Sequence, residues 1–349
     1  MTEEPAEIEF GVNTFGEITA DADGIDEPAP TVLRHIVDEA VLADAVGLQH
    51  FGVGEHHRDD FAVSAPDVVL AAAAGRTHQI TLGSAVVVLS SDDPVRVYQR
   101  WATLDAVSGG RAELTVGRGS FTESFPLFGL DLADYDVLFS ERLDLLVQLQ
   151  REGPVTWSGT TRSSLNQQRV YPPTAAGRLP IVVGVGGSPD SVVRAAKHGL
   201  PMTLAVIGGE PMRFAPFVDR YRRATDQFGH GRLPVGVHSG GYVAESDQHA
   251  RDEYLPYYRA GIDRIGRERG WPPLTAERYD GEIEHGSLYV GGPDTVAEKI
   301  ARTLTGLDVQ RFDMKYSAGR LPHAALLRSI ELFGSEVVPR VRKLLAAAE

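Results

Sequence analysis

Phe51-Gly52-Val53-Gly54-Glu55-His56-His57 is a short apolar run, spaced by glycine, that ends in a carboxylate and two imidazoles. Upstream, residues 31–47 place Val32, Leu33, Ile36, Val37, Ala40, Val41 and Ala45 at helical spacing, with Gly47 suited to close the helix. Downstream, Ser64 is placed to cap, and Pro66 to open, a second apolar helix over residues 67–76. Glu55-His56-His57 therefore stands where a buried strand ends and a βα loop begins, which is where parallel α/β folds collect their chemistry. Alternation along a strand turns neighbouring side chains to opposite faces, so His56 and His57 diverge. Divergence opposes a Glu-His-His metal chelate, whose ligands must converge. One histidine is expected to face a cavity, while the other, with Glu55, orients it or packs locally. Read alone, the tripeptide fits a hydrogen-bonded loop slightly better than a reactive site; the rest of the chain shifts that balance.

The same alternation of apolar strand and amphipathic helix runs through the chain. Strands are predicted at residues 8–14, 50–54, 81–89, 111–116, 181–185, 201–207, 235–243 and 311–316. Further helices are predicted from Asp93-Pro94 to about 107, then over 138–150, 188–198, 211–228, 247–269, 293–305 and 322–345. Residues 121–137 and 153–180 read as long connections, 271–287 as irregular, and 288–292 as a return to the core. The expectation is an α/β fold, a single (β/α)8 TIM barrel spanning residues 1–349, with insertions after strands 4 and 7 and before strand 5.

Composition narrows the function. The chain has 349 residues, 42% of them hydrophobic and 23% charged, which is ordinary for a globular protein. It has no cysteine, so disulfides, thiolate metal sites and cysteine nucleophiles are excluded. A formal net charge of −14 opposes nucleic-acid binding, which needs a basic footprint. Met1-Thr2-Glu3-Glu4-Pro5 is polar and acidic, unlike a secretory leader, and no apolar run reaches membrane-spanning length. A soluble, cytoplasmic protein is expected.

Two stretches suit an anion. Gly184-Val185-Gly186-Gly187-Ser188-Pro189 ends strand 5 and opens a helix, so glycine backbone, free amides and the hydroxyls of Ser188 and Ser191 meet there. It lacks the Lys-Ser/Thr of a Walker loop and is no complete dinucleotide fingerprint; alone, it is equally a turn tightened for packing. Gly117-Arg118-Gly119-Ser120, at the end of strand 4, offers a guanidinium for bidentate phosphate contact or for a salt bridge. Two such loops at the ends of two strands favour a phosphorylated cofactor over either loop alone. In strand 3, Gly83-Ser84-Ala85-Val86 has small side chains, which suits a flat ring packed on backbone or an ordinary barrel core.

Together these stretches resemble the bacterial luciferase-like flavin monooxygenase family over nearly the whole chain. The resemblance rests on Glu55-His56-His57; on Gly83-Ser84-Ala85-Val86 followed by Asp93-Pro94-Val95-Arg96; and on Ser108-Gly109-Gly110-Arg111 leading to Gly117-Arg118-Gly119. It rests also on Gly186-Gly187-Ser188 with Gly199-Leu200-Pro201-Met202, and on Val290-Gly291-Gly292-Pro293-Asp294-Thr295-Val296. The resemblance implies a barrel that binds reduced FMN supplied by a separate flavin reductase, and oxidises a small organic substrate with molecular oxygen. By position it implies that His56 is the active-site histidine, titrating near neutrality as acid and base, with Glu55 and His57 supporting it. It implies that Arg118, with Gly186, Gly187, Ser188 and Ser191, meets the flavin phosphate. Ser84, Ala85 and Val86 would underlie the ring, with a non-prolyl cis peptide at Ala85-Val86. A second phosphate arginine is not placed; Arg142 is the residue the following helix offers. The resemblance further implies a homodimer, paired through helices near strands 2 and 3, to which the small residues Ala71–Ala74 lend themselves.

Three rival readings share parts of this pattern. An oxidoreductase using the deazaflavin coenzyme would keep the barrel and the ring site, but its acidic coenzyme tail favours a basic cluster that this sequence lacks. A non-catalytic flavin-binding protein would keep the cofactor without turnover. A metal-dependent barrel hydrolase would need converging ligands.

Overall fold

The computed structural model describes residues 7–347; the reading of Met1 to Pro5 lies outside them. Eight parallel strands form the barrel: β1 (Glu9–Thr14), β2 (His50–Val53), β3 (Thr81–Ser84), β4 (Ala112–Gly117), β5 (Ile181–Val185), β6 (Met202–Ala205), β7 (Val235–Val243) and β8 (Arg311–Lys315). Each pairs with its neighbours in sequence, and β8 returns to β1 with Phe10 opposite Phe312 and Val12 opposite Met314, which closes the sheet. The expected (β/α)8 barrel is what the chain forms.

Strand alternation divides the core in two. Phe10, Val12, Phe51, Val53, Leu82, Leu114, Val116, Phe312 and Met314 are fully buried in the apolar cluster beneath the helices. The other face carries Asn13, His50, Glu113, His238, Arg311 and Asp313 into the barrel. They fit because glycine stands opposite: a Cβ on Gly52 would lie 2.0 Å from Asn13 Oδ1, and one on Gly83 2.0 Å from His50 Nε2. Their charges are matched, with Arg311 Nη1 donating to Glu113 at 2.8 Å and His50 Nδ1 3.1 Å from Asp313.

Helices α1 (Ala29–Ala45), α2 (Pro66–Ala74), α3 (Pro94–Ser108), α4 (Tyr135–Leu149), α5 (Pro189–Lys197), α6 (Ala215–Gln227), α7 (Asp247–Arg269), α8 (Ala276–Glu284), α9 (Pro293–Leu307) and α10 (His323–Leu332) surround the barrel. The expected insertions are present. Between β4 and β5 lie a helical turn (Ser124–Leu127), α4 and an antiparallel hairpin, Val155–Trp157 with Leu165–Gln168. After β7 come α7, α8 and a short strand, Tyr289–Gly291, that extends the sheet beside β7.

Several expected boundaries shift for local reasons. The continuous strand over residues 81–89 breaks at the cis peptide Ala85-Val86 and resumes as Val87–Val88 beside β4. Ala65, not Ser64, is the N-cap of α2, and no side chain caps it. The irregular stretch 271–287 contains α8, begun by Thr275, whose side chain accepts from the Arg278 amide. The closing helix over 322–345 is divided by a π turn at Phe333–Val337, where Gly334 packs against Val46.

Candidate active site

A cavity of about 510 Å³ opens at the C-terminal ends of the strands, within the usual range for ligand pockets. His56, Ser84, Ala85, Val86, Arg118, Gly186, Gly187, Ser188 and Ser191 all line it. Positions read from four separate stretches of sequence thus converge on one space.

Its floor is backbone. The Ala85-Val86 peptide is cis. Val86 leans over two glycines, since a Cβ on Gly117 would come within 2.6 Å of its Cγ2 and one on Gly184 within 3.0 Å of its Cγ1. The Ala85 amide donates to Val53 O at 2.9 Å, and Ser84 Oγ donates to Thr115 O at 2.7 Å. Glu55 fastens the far side: Oε2 accepts from the Val88 amide at 2.9 Å, while Oε1 lies 2.9 Å from His57 Nε2. The result is a flat, small-atom shelf joined to the loop that carries the histidines.

One end of the cavity gathers a guanidinium, glycine backbone and two serines. Arg118 Nη1 pairs with the exposed Asp136 at 2.7 Å, and its guanidinium stands 5.1 Å from the Tyr135 ring centre. Across from it, Gly187 has φ +110°, open to glycine but strained for other residues. A Cβ on Gly186 or Gly187 would meet no atom within 4 Å, so this backbone edge is free. Ser188 is the N-cap of α5, yet its hydroxyl caps no amide. Ser191 lies buried in the first turn.

Arg194, one turn beyond Ser191, lies outside the cavity lining, in an adjoining surface pocket with Asp190 and Lys197. Among the described residues its buried Nη1 has no partner, and its guanidinium lies 5.3 Å from the Phe139 ring centre. Burial, then the nearby Arg118 charge, pushes its pKa down. Arg142 is placed otherwise: its Nη1 donates to Ser90 O at 2.8 Å and braces the loop after the shelf, away from the cavity.

At the other end His56 sits among aromatic rings. Its ring stacks on Phe61 at 4.1 Å, tilts against Phe15 at 4.9 Å and meets the edge of Phe121 at 5.3 Å. Among the described residues neither the buried Nδ1 nor Nε2 has a partner, and the ring lines the cavity. Desolvation by these rings lowers its pKa from 6.5 to about 3, against the pull of Glu17 and with help from Lys315. This differs from the expected titration near neutrality, because the sequence shows no sign that Phe15, Phe61 and Phe121 gather on one imidazole. His57 also lines the cavity, bonded to Glu55 and set against the edge of Phe128 at 5.2 Å.

Arg58, next but one after His56, braces two lining residues, Phe121 and Glu123, from outside the cavity. Its side chain is 7% exposed and bonds Asp60, Glu123 and Glu268 at 2.9, 2.6 and 2.7 Å, while covering Phe121. The inner wall, formed by Asn13, His50, His238 and Asp313, was missed. Polar residues alternating with apolar ones inside β1, β7 and β8 were its trace in the sequence. Arg311 and His50 hold the Asp313 carboxyl well below the usual range, although burial works the other way.

The model of the luciferase-like monooxygenase family matches residues 8–310. The 4-hydroxyprotoasukamycin monooxygenase of Streptomyces nodosus subsp. asukaensis is 29% identical over 94% of this chain and 92% of its own. The oxygenating constituent of 3,6-diketocamphane monooxygenase from Pseudomonas putida, solved with FMN, superposes with a TM-score of 0.75 at 19% identity, covering 96% of this chain and 99% of that one. The coenzyme F420-dependent tetrahydromethanopterin reductase of Methanopyrus kandleri gives 0.74 at 19% identity over 96% and 100%. The two solved structures share the fold, and the match over most of the chain makes this protein an enzyme of the luciferase-like monooxygenase family.

Proposed function

We propose that the protein is an FMN-dependent monooxygenase that takes reduced flavin from a separate reductase and oxidises a small organic substrate. The observation that carries the reading is the single cavity joining a phosphate-suited end, a flat backbone shelf and a desolvated histidine. The residues fit the cofactor. Arg118, Ser188, Ser191 and the amides at Gly186 and Gly187 would hold its phosphate. Ala85 and Val86 would carry the ring.

Reduced FMN supplies the electrons that activate molecular oxygen. The chain's own contribution is enclosure and proton handling. Phe15 and Phe121 exclude water from the end where His56 lies. His56 meets its ligand as a neutral imidazole and can exchange a proton through Nε2. Apolar Phe15, Phe121 and Ile207 favour an organic substrate without a large charge.

A coenzyme F420-dependent oxidoreductase is the second reading, favoured by the fold shared with the Methanopyrus enzyme. The absorption spectrum and mass of the co-purifying small molecule distinguish the two. Arg118→Ala tests the phosphate site: FMN binding should weaken roughly 10- to 100-fold, the worth of a charge-assisted contact, with riboflavin binding unchanged. Equal losses for both ligands would refute the assignment.

A further inference from the structure

We propose that His238 is a fixed hydrogen-bond donor that recognises an acceptor oxygen on the ligand filling the inner end of the cavity. The proposal rests on reading that cavity as a cofactor and substrate site. His238 projects from β7 into the barrel, is 8% exposed and lines the cavity. Asn13 on β1 reaches it, with Nδ2 2.8 Å from Nδ1. The orientation of that amide follows from its other side. Asn13 Oδ1 packs so closely over Gly52 that a Cβ there would lie 2.0 Å away. Among the described residues Oδ1 has no N–H or O–H partner there, but an oxygen gains from a C–H contact; turned around, the amide would press an NH2 group against the glycine CH2 with nothing to accept from it. The nitrogen therefore faces His238 and donates, Nδ1 accepts, and the neutral ring carries its own proton on Nε2.

Among the described residues Nε2 has no protein partner, and it opens on the cavity. The ring is held in plane by Phe15, stacked at 5.7 Å and 13°, whose ring also meets His56. The charges around it do not compete for the proton. Asp313 is engaged by His50 at 3.1 Å and by Arg311 at 3.0 Å. Burial, with Lys315 and His50 and against Asp313, brings the His238 pKa down to about 4, so the ring stays neutral near pH 7. A fixed, uncharged N–H in a desolvated wall matches a carbonyl or enolate oxygen and rejects an ammonium or another donor. That oxygen can belong to the polar edge of the flavin ring or to a carbonyl of the organic substrate.

Nuclear magnetic resonance of ligand-free protein with 15N-labelled histidine tests this without turnover. The expected signature from pH 6 to 8 is a neutral ring protonated at Nε2; a proton on Nδ1 overturns the proposal. Asn13→Asp offers Nδ1 only acceptor oxygens and should draw a proton onto Nδ1, a change that a purely structural asparagine would not produce. FMN, cyclohexanone and, as an acceptor-free control, methylcyclohexane are then added. Suppose FMN moves the Nε2–H resonance, and His238→Leu, but not His238→Gln, weakens FMN binding roughly five- to tenfold. The acceptor is then the flavin. A shift with cyclohexanone but with neither FMN nor the hydrocarbon assigns it to the substrate. No shift with FMN or the ketone overturns the proposal. If no flavin binds at all, the FMN reading fails through the Arg118 comparison, while the tautomer and the ketone titration still decide the role of His238.

Discussion

His56 shows how far one residue's environment can depart from what its neighbours in sequence imply. Glu55-His56-His57 follows a strand end, and both imidazoles line the cavity, His57 being bonded to Glu55 as well. What alternation cannot show is the cage, since Phe15, Phe61 and Phe121 come from three loops far apart in sequence. The cage has a measurable consequence. With a folded pKa of about 3 against 6.5, the folded protein leaves His56 unprotonated while the unfolded chain protonates it. Stability is therefore fully present above about pH 6.5 and falls as pH drops towards the folded value, by up to ~1.4 kcal/mol per pH unit on this account. His238, at about 4, adds a loss of the same sign. His56→Phe, which fits an aromatic cage, should lose less stability than the wild type between pH 7 and pH 5. Urea midpoints at both pH values measure this; equal losses in the two proteins would mean that His56 is not held neutral. Arg118 and Ser188 were legible because glycine and helix-start chemistry are local. His238 and Asn13 were not, because their meaning depends on partners brought by other elements.

At the scale of elements, the order of strands and helices was readable throughout, and the faults fall where backbone geometry leaves the regular repeat. Valine-rich 81–89 reads as one strand because β-branched residues signal extension. Pairing shows two pieces, β3 beside β4 through Leu82 and Gly83, then Val87–Val88 beside the end of β4. The shelf between them is thus an interruption of a strand, tied to β2's loop by Glu55. Likewise the stretch after Trp271 looked irregular because Pro272-Pro273 hides the Thr275 cap of α8. Barrel glycines are the clearest element-level requirement. His50 cannot retreat from Gly83, because Asp313 holds its Nδ1 and Glu113 lies 3.7 Å from its Nε2. Gly83→Ala should therefore destabilise the protein by about 1–3 kcal/mol through overpacking. Denaturant titration reads this directly, and a neutral substitution would show that the polar barrel interior can yield. Gly24→Ala is no control, since its φ of +75° carries its own strain; Gly281→Ala, with nothing within 4 Å of a Cβ, is the suitable one.

For the molecule as a whole, the site is assembled at one end of the barrel while the outer helices remain available for association. No helix of the described residues is long and apolar enough to cross a membrane, so an unpartnered apolar helix face calls for another explanation. Helix α2 has such a face. Its buried side, Leu70, Ala73 and Ala74, packs on the barrel. On the other side Val68 is 63% exposed, and Ala71, Ala72 and the C-cap Gly75 continue its stripe at helical spacing. Val107, at the end of neighbouring α3, is 61% exposed. Small side chains allow two helices to approach closely, and a two-fold pair buries the same patch on both copies at once. The loop carrying His56 and Arg58 leads straight into α2, so a partner packed there would also steady the mouth of the cavity. We propose a homodimer through α2 and α3. Light scattering at micromolar concentration should give twice the chain mass for the wild type. Ala72→Arg, an exposed position with no role in the barrel, should halve it without lowering the denaturation midpoint of the monomer. A wild type that is monomeric at micromolar concentration would rule the homodimer out. A dimer that survives Ala72→Arg would move the interface away from this face.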